Sequence, residues 1–189
     1  KKADGVDIIV SFLMESGVKM ILKDLDQALQ RGAKIRILTG NYLGITQPSA
    51  LYLIKRKLGD QVDLRFYNDP RRSFHPKAYM FHYDNYSEMY IGSSNVSRSA
   101  LTSGIEWNYR FNSQTDPQSY RKFYETFEDL FEHHSIVIDE EELKRYSKNW
   151  HRPAVAKDLD KYDQNDELDT NVRMLYEPRG AQIEVLCAL

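Results

Sequence analysis

The first 67 residues alternate between short β-branched runs and amphipathic stretches, and this alternation constrains the fold more than any other feature. The apolar runs are bounded by glycine, as buried strands often are, and the stretches between them repeat apolar residues at helical spacing. The predicted strands cover residues 7–13, 34–38 and 62–67, and the predicted helices cover residues 15–31 and 48–58. Strand–helix–strand units require right-handed crossovers. We therefore expect an α/β fold with a mixed, largely parallel β-sheet flanked by helices.

The pattern changes after residue 67, where strands follow one another without an intervening helix. Later elements are predicted as strands over 75–82, 88–91 and 105–111, a loop or single helical turn over 97–103, and helices over 117–134 and 140–150. The first two of these strands flank a polar, turn-like connection, which predicts a hairpin. The length and an ordinary hydrophobic content of 41% allow one domain with a sizeable core over residues 1–150.

Three short polar motifs lie on the predicted strands of this second half. They are His75-Pro76-Lys77, Gly92-Ser93-Ser94-Asn95 and Glu106-Trp107-Asn108. Successive side chains of a strand point to opposite faces, so His75 and Lys77 share a face and His82 lies on the other. Ser93 and Asn95 share a face if their strand stays extended. We therefore expect two adjacent strands to present an imidazole, an ammonium, a hydroxyl and a carboxamide to one phosphate.

These residue types suit phosphoryl chemistry. A neutral imidazole nitrogen can attack phosphorus and form a covalent phosphohistidine, which splits one difficult displacement into two. Lys77 and Asn95 can donate to the non-bridging oxygens, where negative charge must be stabilised, and Ser93 adds a hydroxyl. We expect Glu106 to accept the other imidazole N–H and hold its tautomer. That pairing raises the pKa of His75, and we expect the nearby Lys77 to offset the rise.

The motif order His-x-Lys, Gly-Ser-x-Asn and Glu resembles the phospholipase D superfamily, in particular its nuclease branch. The resemblance implies a phospholipase D-like fold in which the catalytic residues are His75, Lys77, Asn95 and Glu106. Ser93 and Ser94 are assigned to substrate binding. In this superfamily two His-x-Lys motifs meet in one active site, where one histidine attacks and the other protonates the leaving oxygen. This chain has a single copy, so the resemblance implies a homodimer that shares one active site.

One departure from the superfamily pattern concerns the position five residues after the lysine. The pattern often has an aspartate there, and this chain has His82. Some nuclease members also lack that aspartate, so its absence is compatible with the nuclease branch. It argues against the lipase branch, which usually keeps the aspartate. The expected activity is a metal-independent phosphodiesterase, a DNA endonuclease whose domain needs no cofactor. Two other functions stay open: a non-cleaving module for nucleic-acid binding and dimerisation, and, less favoured, hydrolysis of a lipid phosphodiester.

The composition changes after His151. Residues 158–169 are acidic and poor in large apolar side chains, which predicts an acidic linker over 151–173, with a solvated surface helix as the alternative. The sequence around Gln182 resembles the opening of a superfamily 2 helicase core. In that family the glutamine binds the adenine of ATP, so Gln182 would do so only with the rest of the helicase domain. We predict that residues 174–189 begin such a domain, truncated before its phosphate-binding loop, and that the chain is a piece of a longer helicase or restriction-type protein.

The overall composition excludes little about partners. A net charge of −2 gives no strong general attraction for nucleic acid, although it does not exclude a local basic groove. Cys187 is the only cysteine, which favours a reducing, cytoplasmic setting. No apolar run approaches the length of a membrane span, so no membrane partner is expected.

Alternative interpretations exist for several of these residues. A zinc site would draw its ligands from His75, His82, His133, His134 and Glu106. These positions give no ligand spacing, so no metal is expected. Four tyrosines are candidates for base stacking or, more often, for packing within the sheet: Tyr79, Tyr83, Tyr86 and Tyr90. The basic groups Arg71-Arg72 and Lys55-Arg56-Lys57 are candidates for binding backbone phosphates or for ordinary solvated charge.

Overall fold

The computed structural model describes residues 2–153. Its elements in chain order are β1 (Gly5–Val10), α1 (Glu15–Gln30), β2 (Lys34–Thr39), α2 (Pro48–Leu58), β3 (Val62–Tyr67), β4 (Lys77–Tyr83), β5 (Tyr86–Gly92), α3 (Arg98–Leu101), β6 (Asn108–Asn112), α4 (Pro117–His133), β7 (Ser135–Val137) and α5 (Glu140–Asn149). The predicted helicase-like segment, with Gln182, lies outside the described residues, as does the predicted linker beyond its first three residues. Within residues 2–153 no helix is long and apolar enough to cross a membrane.

The strands form one seven-stranded sheet in the order β6-β5-β4-β1-β2-β3-β7. The mixed α/β sheet flanked by helices is confirmed, but its parallel part is smaller than expected. Parallel pairing joins β1 to β2 and β2 to β3, and every other described pair is antiparallel. The reason is that β4 and β5 form a hairpin, which reverses the chain direction, and the longer segment with α3 returns the chain so that β6 runs antiparallel to β5.

Several strand boundaries differ from the prediction, and at three of them the local backbone explains the difference. β1 ends at Val10 because the next two amides, of Ser11 and Phe12, donate to the side chain of Asn95. β4 begins at Lys77 and not at residue 75, since Pro76 has no N–H to give to the ladder. The strand predicted from residue 105 begins at Asn108. The three-residue strand β7 was not predicted.

Apolar side chains on the two faces of the sheet build two cores. On one face Ile8, Ile37 and Phe81 pack with buried residues of α1, α2 and α5. On the other face Met80 and Met89 pack with Phe127 and Phe131 of α4. The sheet therefore carries helices on both faces, as the alternation of strands and helices predicts.

A buried ionic network joins the sheet to α4. Asp7, which is 3% exposed, accepts two hydrogen bonds of 2.7 Å from Arg36 and lies 2.7 Å from Nε2 of His82. Arg36 also donates to Glu128 of α4 at 2.7 Å. Burial raises the pKa of Asp7, but the hydrogen bonds from His82 and Arg36 outweigh it, so the pKa lies below its usual value. The network lies toward the start of β1, away from the end that leads to Ser11.

Candidate active site

The predicted site residues lie at one end of the strands, where the parallel and antiparallel parts of the sheet meet. The end of β1 is paired with the start of β4, through Val10 and Lys77. The end of β5 is paired with the start of β6, through Gly92 and Asn108. Because β4 and β5 are themselves neighbours, these four strand ends bring the three polar motifs to the same end of the sheet.

His75 and Lys77 are in direct contact. Nζ of Lys77 lies 3.0 Å from Nδ1 and 2.9 Å from Nε2 of His75, and it donates to the carbonyl oxygen of His75 at 3.2 Å. His75 is exposed, whereas Lys77, the first residue of β4, is 7% exposed. A reactive imidazole therefore lies at the surface with an ammonium group against it.

Both of these groups have lowered pKa values. Desolvation lowers the pKa of His75 and the Lys77 charge lowers it further, which favours the neutral imidazole that a nucleophile needs. Desolvation also lowers the pKa of Lys77, while the charge of Glu106 opposes that change. The site thus places one ammonium group and one carboxylate around an imidazole that is favoured in its neutral form.

Asn95 uses its two side-chain atoms differently. Its Oδ1 accepts the backbone N–H groups of Ser11, at 3.1 Å, and Phe12, at 3.3 Å, which orients the carboxamide. Its amide nitrogen has no acceptor among the described residues, although the residue is 6% exposed. A buried donor without a partner is costly. The arrangement suits donation to a phosphate oxygen.

The neighbouring serines have different environments. Ser93 is exposed just beyond β5, and its hydroxyl bonds to the carboxylate of Glu106. Ser94 is buried, and its hydroxyl accepts from Nδ2 of Asn108 at 2.8 Å while its carbonyl oxygen accepts from Tyr79 at 3.0 Å. Because β5 ends at Gly92, strand alternation does not extend to these residues. Substrate binding by Ser93 and Ser94 stays a prediction.

Glu106 differs in its contacts from the expectation. In residues 2–153 no hydrogen bond joins it to His75, and its partner is Ser93. The segment before β6 is held against Ser93, whose N–H donates to the carbonyl of Trp107 and whose hydroxyl accepts the Trp107 N–H, both at 3.0 Å. Gly92 makes this approach possible, because a Cβ there would lie 2.0 Å from the carbonyl oxygen of Trp107. Glu106 is therefore linked to the site by its hydrogen bond with Ser93 and by the effect of its charge on Lys77.

Two contacts at the site were missed by sequence reasoning. The ring of Tyr42 lies 4.3 Å from the ring of His75, centroid to centroid, and the Ser11 hydroxyl donates to the carbonyl of Pro76 at 3.2 Å. The available signal was position: Ser11 follows β1 and Tyr42 follows β2. Loops at the carboxyl ends of parallel strands are where α/β proteins place their sites.

The structure also decides several alternatives. His82 lies on the opposite face from Lys77, as strand alternation predicts, and contacts Asp7. Base stacking by Tyr79, Tyr83 or Tyr90 is wrong, because all three are buried. Among the described residues no group of three or more His, Cys, Asp or Glu side chains is placed to hold a metal ion.

A family described as "Cardiolipin synthase, PLD-like domain" matches residues 2–135. This range contains every strand from β1 to β6 and all three motifs. The chain belongs to the phospholipase D-like family. A search of curated protein sequences gives no match to it.

Two solved structures share the phospholipase D-like fold of this chain. Polyphosphate kinase from Porphyromonas gingivalis matches with a TM-score of 0.55 and 16% identity, over 74% of this chain and 20% of that one. Phosphatidylserine synthase from Haemophilus influenzae Rd KW20 matches with a TM-score of 0.51 and 17% identity, over 93% and 42%. At such identities the likeness shows the fold alone. The chain spans less than half the length of either protein.

Proposed function

We propose that this phospholipase D-like domain is a metal-independent phosphodiesterase that acts through a phosphohistidine at His75. The observation that carries the proposal is the contact between the exposed His75 ring and the largely buried Lys77 ammonium, and it is supported by the Asn95 amide nitrogen, which has no acceptor within residues 2–153. A nucleophile kept neutral, together with donors held for non-bridging oxygens, is what an in-line attack on a phosphodiester requires.

The proposed reaction has two displacements. In the first, a neutral ring nitrogen of His75 forms a bond to phosphorus, the bond to the leaving oxygen breaks, and a second imidazolium gives that oxygen a proton. In the second, water attacks the phosphohistidine, gives its proton to that second imidazole, and His75 is released. Lys77 and Asn95 donate to the non-bridging oxygens in both steps.

We infer that a second copy of the chain supplies the second imidazole. The other four histidines have partners elsewhere: His82 contacts Asp7, His133 and His134 contact Asp129, and His151 contacts a backbone carbonyl. Three large apolar side chains next to the site are exposed: Ile105 at 91%, Trp107 at 83% and Tyr109 at 68%. An exposed apolar strip beside a half-complete site favours an interface between two copies.

The proposed substrate is DNA, within a larger cytoplasmic helicase or restriction-type protein. The loop that leads to His75 carries Arg71, which is ion-paired with Asp69 at 2.9 Å, and Arg72, and both side chains are exposed to backbone phosphates. The family description names cardiolipin synthase, so a phospholipid is the competing phosphodiester.

The experiment compares plasmid DNA and cardiolipin-containing vesicles as substrates, with excess EDTA present throughout. We expect nicked or linear DNA, unchanged lipid, and a phosphate adduct trapped on His75 in acid-quenched samples. His75→Ala should remove cleavage, whereas the exposed His151→Ala should retain it. Cleavage that requires Mg²⁺, or that survives His75→Ala, would contradict the proposal.

The second candidate function is a module that grips nucleic acid without cutting it. The hydrogen bond between the Ser93 hydroxyl and the Glu106 carboxylate favours this function, because it leaves His75 without a carboxylate partner among the described residues. Retention of labelled DNA with no product after prolonged incubation, in wild type and His75→Ala alike, would support binding alone.

A further inference from the structure

Tyr42 is the aromatic side chain in ring contact with the proposed nucleophile. It lies in the loop between β2 and α2, and its ring is tilted by 50° against that of His75 at 4.3 Å. The two residues are 33 positions apart in the sequence. The three polar motifs do not predict this contact, so it depends on the tertiary contacts that hold the loop.

The loop is closed on itself and against the loop that carries His75. The Thr46 hydroxyl donates to the carbonyl of Gly40 and accepts the N–H of Leu13 at 3.3 Å, which joins the two ends of the loop to the segment between β1 and α1. Phe74 packs against Gly40 so closely that a Cβ there would lie 2.5 Å from its ring. Phe74 also stacks on Tyr67 at 4.4 Å. The residue immediately before His75 is therefore anchored beside the start of the Tyr42 loop.

The segment at and after α5 holds the same loop from another side. The hydroxyl of Tyr146 lies 2.7 Å from the carbonyl oxygen of Thr46 and 2.8 Å from Oδ1 of Asn41. The indole Nε1 of Trp150 donates to the carbonyl of Gly44 at 2.8 Å. These bonds hold the side chain of Asn41 before Tyr42 and the carbonyls of Gly44 and Thr46 after it, in a loop where the residue after Tyr42, Leu43, has a φ of 53°.

We propose that Tyr42 is a positioning residue that holds the His75 imidazole for attack, and that Tyr146 and Trp150 maintain it by fixing the loop. The proposal rests on the proposed role of His75 as nucleophile. The proposal adds to the site three residues that lie outside the family motifs. Two of them, Tyr146 and Trp150, lie near the end of the described chain.

The physical reason is the exposure of His75. An exposed imidazole samples several rotamers, and only those that direct a ring nitrogen along the line to phosphorus are productive. Contact with Tyr42 on one side and Lys77 on another restricts this sampling. The Tyr42 ring also excludes water from part of the imidazole, which is consistent with the desolvation that lowers the pKa of His75.

The test uses Tyr42→Leu, with Tyr42→Phe as the conservative variant and Tyr52→Leu, an exposed tyrosine of α2, as the matched control. The substrate is bis(4-nitrophenyl) phosphate, and the titration of His75 is followed by NMR in each protein. Tyr42→Leu should lower kcat by about tenfold or more with little change in KM, and raise the pKa of His75 toward its ordinary value. Tyr42→Phe, which keeps the ring, and Tyr52→Leu should behave as wild type.

Trp150→Phe gives an independent arm, because it leaves Tyr42 in place and removes the indole N–H that bonds to Gly44. It should change kcat and the pKa of His75 in the same direction as Tyr42→Leu, by a smaller factor. An active wild type whose kcat and His75 titration are both unchanged in Tyr42→Leu would overturn the inference. If wild type cleaves no phosphodiester while Tyr42→Leu still shifts the titration of His75, the proposed function fails and the contact keeps its effect on the ring.

Discussion

At the scale of single residues, the proposed reaction depends on the protonation state of His75. Attack requires a neutral His75 imidazole and the leaving oxygen requires the second copy's imidazolium, so activity is lost at low pH as the nucleophile takes up a proton and at high pH as the second imidazolium loses its proton. Desolvation and the Lys77 charge both lower the pKa of His75, which extends the active range to lower pH. Lys77 thus favours the neutral form of the His75 nucleophile and also supplies a cation for the phosphate.

Lys77→Met is expected to change both properties. The loss of a donor to the non-bridging oxygens should lower kcat by about 10²-fold or more. Removing the charge should raise the pKa of His75, so the acid limb of the pH–rate profile should move to higher pH. NMR titration and a pH–rate profile measure the two effects, with the exposed Lys23→Met as control. An acid limb that stays in place would show that Lys77 does not act on the imidazole.

Sequence spacing predicts some of these contacts and not others. His75 and Lys77 are two residues apart beside a strand, so their proximity follows from local geometry. Glu106 lies in an irregular segment before β6, where strand alternation does not determine which group its carboxylate reaches. Tyr42 reaches His75 only through tertiary contacts of its loop, which leave no local pattern in the sequence.

At the scale of elements, the tight pairing of β5 with the segment before β6 depends on Gly92. In Gly92→Ala a Cβ would lie 2.0 Å from the carbonyl oxygen of Trp107 and 2.2 Å from Oδ1 of Asn108, so the segments must separate. We expect the free energy of unfolding to fall by about 2 kcal/mol and activity to fall with the displacement of Glu106. Urea denaturation of this variant and of the exposed Ser103→Ala measures the difference. Equal stability of the two variants would refute the close approach.

The ionic network around Asp7 is a second element-level device, because it links β1, β2 and β4 to α4. Asp7→Asn should lower the free energy of unfolding by about 3 kcal/mol at neutral pH, since it leaves Arg36 without its buried partner. The folded pKa of Asp7 is lowered, so its contribution is fully present above the unfolded value of about 3.8 and is lost as pH falls through the folded pKa.

Urea denaturation at a series of pH values checks this second expectation. The stability difference between wild type and Asp7→Asn should shrink as the pH is lowered below 4, and the exposed Asp4→Asn should show little difference at any pH. A difference independent of pH would mean that the carboxylate charge is not what stabilises the network.

The helices were predicted more accurately than the strand ends, for a physical reason. α1, α2 and α4 each carry a long apolar stripe, and their observed limits lie within one residue of those predicted. The end of β1 and the start of β6 depend on backbone N–H groups that bond to Asn95 and Ser93, which lie elsewhere in the sequence, and β4 starts only after Pro76, which has no N–H. The short edge strand β7 has too few residues to show alternation.

At the scale of the whole molecule, the sheet has two edges of different character. β6 at one edge lies beside the site and its exposed apolar strip, Ile105, Trp107 and Tyr109, whereas β7 at the other edge is three residues long. Sequence reasoning predicts the sheet but not this asymmetry, because strand order depends on long-range pairing. The asymmetry indicates which edge is available to a second copy.

Trp107→Glu is therefore expected to dissociate the proposed dimer, because it places a charge in the apolar strip. Val137→Glu, on the exposed face of β7, is the matched control and should leave the oligomer intact. Light scattering and sedimentation measure the mass of each protein, and cleavage assays at low concentration measure the activity. A monomeric wild type, or a dimer that persists in Trp107→Glu with full activity, would contradict this interface.

Asn95 has a further consequence through the distance in sequence that it spans. Its side chain holds the amides of Ser11 and Phe12, 84 and 83 positions earlier. Contacts of this span close late during refolding, because the intervening chain must first lose its loop entropy. Catalytic competence is thus expected to appear last, after the helices have formed. A nascent chain that has not yet emerged past residue 95 would contain β1, α1 and α2 but would lack the Asn95 side chain that holds the amides of Ser11 and Phe12.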